Sequence, residues 1–243
     1  MASRRYKVKK SAQVAEKEEV KEFIENPEAL VEQFSRSEEF FQKHKNVVFG
    51  VLGAIILVVG GILGYRYYVS SQDEIAQREM FQAVFYFEQD SLTQALNGDG
   101  LNFGLLDIIE DYGATDAGNL ARFYAGVSYL KLGEYQSAVN QLTAFSSSDL
   151  LVQARAYALI GDAYMELGNY ADAADSYDRA ANYKPTENIS SQYLMKAALA
   201  YEKQSDFGAA MERYDKILSD HYGAPEYQNA KKYKARLETM ASK

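Results

Sequence analysis

Three stretches of this chain lie over one another in register, and that self-similarity restricts the fold more than any other feature. GVSYLKLGEYQSAVNQL begins at Gly126, GDAYMELGNYADAADSY at Gly161 and ALAYEKQSDFGAAMERY at Ala198. A small residue, an aromatic three positions later, a turn residue, a second aromatic and an alanine recur in each. They fall at Gly126, Tyr129, Gly133, Tyr135 and Ala138, then at Gly161, Tyr164, Gly168, Tyr170 and Ala173, and again at Ala198, Tyr201, Ser205, Phe207 and Ala210. The copies start 35 and then 37 residues apart. A period of this size belongs to stacked supersecondary units, none of which buries its apolar face alone. Small residues at Gly161, Ala173 and Ala180 let paired helices approach, with Gly161 expected to face Ala173, while Tyr157, Ile160, Tyr164 and Tyr177 fill the space beside them. Gly168 suits a left-handed turn. The aromatic stripe is therefore read as core and not as a cofactor box.

This pattern resembles the tetratricopeptide repeat, a helix-turn-helix unit of about thirty-four residues. The middle copy matches most fully, with Pro185 following Tyr177 and Ala180. The resemblance implies an all-α α-solenoid, with three repeats over residues 119–224. Upstream, a helix over Ser70 to Gln89, with Met80, Phe81, Val84, Phe85 and Phe87 making apolar contacts, precedes short helices at Ser91 to Leu96 and Phe103 to Tyr112. They flank the turn Asn97-Gly98-Asp99-Gly100, so residues 69–118 read as a linker helix and a degenerate first repeat. Residues 225–243 read as a C-terminal capping helix, Pro225 to Met240, with Lys231, Lys232, Lys234 and Arg236 turned outward.

The resemblance also implies a protein-binding groove lined by the first helix of each pair. Its positions are Leu120, Phe123, Val127, Leu130 and Lys131, then Arg155, Ala158, Asp162, Met165 and Glu166, then Gln192, Met195, Leu199, Glu202 and Lys203. Families that clamp an acidic C-terminal tail place Lys and Asn where this chain has Phe123 and Val127, so carboxylate recognition is not expected. An apolar lining suits amphipathic or unfolded segments. Whether the groove stands open or is covered by its neighbours is not settled by the sequence.

Ahead of the repeats stands VVFGVLGAIILVVGGILGYRYY, Val47 to Tyr68, with no charge before Arg66. At about 1.5 Å per residue the uncharged part measures roughly 28 Å, close to the hydrocarbon thickness of a bilayer. It is too long, and too far from the N-terminus, for a cleaved export signal. Residues 46–68 thus read as a single N-terminal transmembrane helix, and 1–45 as a cytoplasmic tail. That tail holds an amphipathic stretch, Asn26-Pro27-Glu28 followed by Leu30, Phe34 and Phe41. Arg4, Arg5, Lys7, Lys9 and Lys10, with Lys43 and Lys45 beside the span, favour a cytoplasmic N-terminus; Tyr65, Tyr67 and Tyr68 suit the far interface. In a bacterium the repeats would then be periplasmic and the span in the inner membrane. Gly50, Ala54, Leu57, Gly61 and Gly64 share one face, and Gly60 with Gly64 forms G-x-x-x-G, so a second membrane helix is an expected contact.

Charge and chemistry narrow the function. Residues before Asn46 carry ten Lys or Arg against nine Asp or Glu, whereas those from Ser70 onward carry fifteen against twenty-five. An acidic domain without a basic stripe argues against nucleic acid. Absence of cysteine excludes disulfides and thiolate chemistry. His44 and His221 are the only histidines, which argues against a metal site. The NGDG turn fails as a calcium loop, since the required carboxylate positions hold Ala95 and Leu106. No P-loop, dinucleotide fingerprint or nucleophile elbow is present. The chain is therefore expected to be no enzyme, to carry no cofactor or metal, and to take no small-molecule substrate.

A cytoplasmic tail, one span and an acidic repeat domain together resemble the ancillary subunit of the bacterial Sec translocon, a membrane-anchored tetratricopeptide protein. That resemblance implies protein partners: translocon subunits, exported proteins or periplasmic chaperones, with a scaffold role in handing over newly translocated chains. The alternatives are a scaffold for another envelope assembly complex and an organelle import receptor with cytosolic repeats.

Overall fold

The computed structural model describes the backbone of residues 27–183 and 187–241, and the side chains of residues 43–183 and 189–240. The basic cluster from Arg4 to Lys10, Asn26 and Pro185 lie outside the described residues, as do the side chains of Leu30, Phe34 and Phe41. Among the described residues every regular element is a helix. The chain divides into two units, Met1–Arg66 and Tyr67–Lys243.

Helix α1, Pro27–Glu88, contributes to both. Pro27 sits at its first position, where a missing N–H leaves no bond unmade. Backbone geometry departs from helical at His44 (φ −117°, ψ 16°), just ahead of the apolar stretch. In the first unit the side chains after Asn46 point outward on every side; Ile56 and Leu57 are 69% and 77% exposed. A helix apolar all round and uncovered by protein is suited to lipid. Among the described residues one helix is long and apolar enough to cross a membrane, and this segment gives it that character.

In the second unit the end of α1 is followed by α2 (Leu92–Asn97), α3 (Leu105–Tyr112), α4 (Asp116–Leu132), α5 (Tyr135–Ala144), α6 (Leu150–Glu166), α7 (Tyr170–Asn182), α8 (Glu187–Lys203), α9 (Phe207–Asp220) and α10 (Tyr227–Ala241). From α4 onward each helix packs chiefly on its neighbours in sequence, the arrangement of an α-solenoid. Starts differ slightly from the sequence expectation, for local reasons. The carboxylate of Asp107 accepts the Gly104 N–H at 2.9 Å, so α3 begins at Leu105 and not at Phe103. The Ser91 carbonyl accepts the first bond of the helix, from the Ala95 N–H at 2.9 Å, so Ser91 is the N-cap and α2 begins at Leu92.

The recurring sequence positions carry recurring geometry. Gly133, Gly168 and Ser205 are all left-handed, with φ of 79°, 75° and 67°. Each turn closes with the same two bonds: Gly133 N to Leu130 O and Glu134 N to Tyr129 O, Gly168 N to Met165 O and Asn169 N to Tyr164 O, and Ser205 N to Glu202 O and Asp206 N to Tyr201 O. These bonds satisfy carbonyls that the helix end would otherwise leave unpaired. A fourth turn of the same kind, absent from the sequence register, ends α1. Asp90 has φ 58°, with Asp90 N bonded to Phe87 O and Ser91 N to Tyr86 O.

Between paired helices a small residue meets a large one sixteen positions on. A Cβ placed on Gly126 would lie 2.5 Å from Leu142 Cγ, and one on Gly161 would lie 2.7 Å from the Tyr177 ring. The close neighbour of Gly161 is therefore Tyr177 and not the expected Ala173, although Ala173 is itself fully buried. At the third copy the same offset joins Ala198 to Tyr214, both fully buried in one cluster. That cluster is largely alanine, including Ala154, Ala174, Ala181, Ala197, Ala200 and Ala230, which brings helix backbones close together. A second cluster joins Ala76, Met80 and Ala83 of α1 to Leu96, Leu105, Ile108 and Ala121.

Candidate functional site

The expected groove positions fall into three environments. Leu120 and Leu199 stand 36% and 38% exposed, and Arg155, Lys131, Glu166, Gln192 and Lys203 are also at the surface. Phe123, Val127 and Leu130 are half-buried against Leu142, Leu159 and Ile160, with the Phe123 ring 5.2 Å from that of Phe145. Met165 and Met195 are half-buried against the alanine-rich cluster, and Ala158 is buried. Much of the apolar lining thus already rests on neighbouring helices.

Asp162 and Glu202 are engaged within the solenoid. The Tyr177 hydroxyl donates to Asp162 Oδ1 at 2.6 Å, and Lys196 reaches the same oxygen at 2.6 Å while lying 5.4 Å from the Tyr177 ring centroid. One repeat later the Tyr214 hydroxyl donates to Glu202 Oε1 at 2.7 Å and Arg236 pairs with Glu202 Oε2. Burial, and then the neighbouring carboxylate, holds both tyrosine pKa values far above their usual range, so these phenols stay protonated donors. Asp178 forms the third clasp, with Arg213 Nη2 at 2.8 Å and the Tyr201 hydroxyl at 3.0 Å. The hydrogen bond that Arg213 donates to Asp178 raises the Arg213 pKa further.

These clasps correct one expectation about α10. Of its four cations, Lys231 and Lys232 face solvent, but Arg236 pairs with Glu202 and Lys234 pairs with Asp215 at 2.5 Å. The cap is therefore pinned to the preceding repeat as well as solvated. A cleft of about 880 Å³ between α7, α8 and α9 is lined by Asp178, Glu212, Arg213 and Asp215, whose charges are satisfied within the protein. Asp99 sits in the loop after α2 and accepts from the Asn102 and Leu101 N–H groups, the Asn102 amide and the Tyr86 hydroxyl. Those bonds, the Asn102 N–H foremost, hold its carboxyl well below the usual carboxylate range and make it a loop organiser. No group of three His, Asp or Glu positioned for a metal occurs among the described residues.

In the apolar helix, a Cβ added at Gly50, Gly60, Gly61 or Gly64 would meet nothing within 4 Å, and Ala54 is exposed. Sequence reasoning missed one surface in the second unit. Phe81 and Phe85, expected with Met80 to make apolar contacts, are 73% and 46% exposed, whereas Met80 is buried. The helical phase separates them: Ala76, Met80 and Ala83 form the inward stripe, and Gln77, Phe81 and Phe85 lie on the opposite line. Phe81 borders a groove of about 410 Å³ with Val84, Leu120 and Tyr124.

Residues 125–187, from within α4 to the start of α8, match the family model described as tetratricopeptide repeat. Over that stretch the α-solenoid is similar to tetratricopeptide repeats. No curated protein matches the chain. Tetratricopeptide repeats are generally protein-interaction scaffolds, so the repeat face is where function is to be sought.

Proposed function

We propose that this chain is a membrane-anchored protein-binding scaffold. The cytoplasmic tail would occupy residues 1–45, the span 46–68 and the linker helix with a degenerate first repeat 69–118. The three repeats would cover 119–224 and the capping helix 225–243. The observation that carries the reading is the order of parts: tetratricopeptide repeats follow an apolar helix long enough to cross a bilayer. On this reading the repeats face the periplasm of a bacterium, associate with the Sec translocon and hold newly exported segments before chaperones take them. The groove residues would be Leu120, Phe123, Val127, Leu130, Arg155, Asp162, Met165, Met195 and Leu199, with Gly50, Ala54, Gly60, Gly61 and Gly64 serving a second membrane helix. Binding is reversible and needs no chemistry.

Two measurements test it together. Protease added to intact spheroplasts should digest the repeats and spare the tail, and gentle detergent extraction followed by affinity recovery should return translocon subunits. Protected repeats would overturn the periplasmic placement. Recovery of other envelope assembly factors, or of cytosolic chaperones, would replace the Sec assignment by the corresponding alternative.

A further inference from the structure

We infer that the groove between the end of α1 and α4, and not the expected repeat lining at Phe123, Val127 and Leu130, is the site that captures protein segments, and that it selects apolar segments flanked by Lys or Arg. The inference rests on the protein-binding reading and gives it a place and a ligand chemistry.

The expected lining of the first clear repeat is largely occupied, with Phe123, Val127 and Leu130 packed on Leu142, Leu159 and Ile160. By contrast, Phe81 and Leu120 border an open groove of about 410 Å³ floored by Val84 and Tyr124. That volume lies within the range of sites that take small ligands or a few side chains. The groove is also pre-formed. Asp73 Oδ1 accepts the Ala117 N–H at 2.8 Å, tying its two walls together, while Asp73 Oδ2 accepts from the Gln77 amide at 2.7 Å within α1. A ligand would therefore meet walls already in place, without an ordering cost.

Charge selects the occupant. Asp116 is the one charged residue lining the groove, and among the described residues it has no ion-pair partner. A neighbouring cleft that shares Gln77 and Phe81 is bordered by one acid, Glu74, and one cation, Arg78, so Asp116 leaves the two together with an excess of negative charge. The surrounding domain is acidic, with fifteen Lys or Arg against twenty-five Asp or Glu from Ser70 onward. A basic flank on the incoming segment matches this rim, while an acidic one is repelled. A second copy would bring the same acidic rim against itself, and an anionic lipid surface would be repelled in the same way.

The test uses the full chain in phosphatidylcholine nanodiscs and fluorescence anisotropy, with empty nanodiscs as control. The probe is a short fluorescein-labelled peptide of Leu and Ala with terminal Lys residues, compared with its Lys→Glu and Leu→Ser counterparts. The Lys peptide should bind, and both counterparts should bind at least about tenfold more weakly. Phe81→Ser with Leu120→Ser should abolish the difference made by leucine, and Asp116→Asn with Glu74→Gln should narrow the difference made by charge. Phe123→Ser serves as the variant for the expected repeat lining. Equal affinity for the Lys and Glu peptides, or a loss confined to Phe123→Ser, would overturn the inference. So would a dimer by mass photometry that Phe81→Ser dissolves, since the occupant would then be a second copy. If the groove variants lose the peptide but still recover the same cellular partners, the groove stands and the handover role falls.

Discussion

From α6 to α10 Gly161 meets the large Tyr177 sixteen positions on, and Asp162 and Glu202 of the repeat face are each held by a tyrosine and a cation from neighbouring helices. Between α1 and α4 the same kind of turn recurs at Asp90, but the second helix is only Leu92–Asn97 and a loop organised by Asp99 replaces the rest. Phe81 and Phe85 are left uncovered there, whereas the later repeats bury Tyr177 and Tyr214 almost completely. Both regions use tetratricopeptide-like geometry, yet regular pairing closes the surface where it holds and opens it where a helix is cut short. In a one-dimensional array each unit is stabilised by its neighbours, so an incomplete unit is a place where apolar surface stays available.

The sharpest way to break this comparison is to overfill the tight region. Gly161→Leu places side-chain atoms where the Tyr177 ring already stands 2.7 Å from a Cβ, and Tyr177 is held by burial and by Asp162. Relief requires α6 and α7 to separate, which should cost about 3 kcal/mol and lower the melting temperature by roughly 6–12 °C. Hydrogen exchange should quicken in α6, α7 and α8, with smaller changes in α1 to α3. A variant that melts like the parent would show that close approach is not what distinguishes the later repeats.

A smaller effect should separate the ion pairs of the two regions. The Asp178–Arg213 pair is mostly sheltered, with side chains 15% and 21% exposed, whereas Asp90 and Lys131 are 74% and 48% exposed. Arg213→Ala leaves Asp178 with the Tyr201 hydroxyl alone and should cost about 2 kcal/mol, below the figure for a fully buried pair because water still reaches it. Lys131→Ala should cost about 0.5 kcal/mol or less. Similar losses, measured by chemical denaturation of the two variants, would remove the distinction.

The fold was readable because small, aromatic and turn residues recur at fixed offsets, and these same positions make the turns and close approaches. What lay beyond reading were contacts between units. Arg236 and Glu202, or Lys196 and Asp162, look like scattered surface charges until the helices are stacked. Phe123 and Val127 are outward by repeat register, yet half-buried because Leu142 and Leu159 reach them. In α1 the signal for an exposed Phe81 was present: Ala76, Met80 and Ala83 define an inward stripe that excludes it. Five apolar residues in one short stretch, from Met80 to Phe87, obscured that phase by suggesting one common core face.

The subtlest comparison concerns the turns, where the two regions share a backbone but not a residue. Ser205 and Asp90 both adopt left-handed backbone that costs a residue with a Cβ roughly 1–2 kcal/mol, which glycine avoids. Glycine also loosens the unfolded chain, by about 0.4–1 kcal/mol, so Ser205→Gly should raise stability by only about half a kcal/mol. Asp90→Gly gains the same relief but gives up the Lys131 contact at 2.8 Å, worth about 0.2–1 kcal/mol at an exposed site, and should come out near zero. Adding Lys131→Ala to Asp90→Gly then costs little more, since the pair has already gone. Equal gains at Ser205 and Asp90 would mean that the Lys131 contact contributes nothing. A clear loss at Asp90, not repeated at Ser205, would mean that the incomplete first unit depends on this aspartate more than its exposure suggests, and that the two regions differ in how their turns are held as well as in how their helices close.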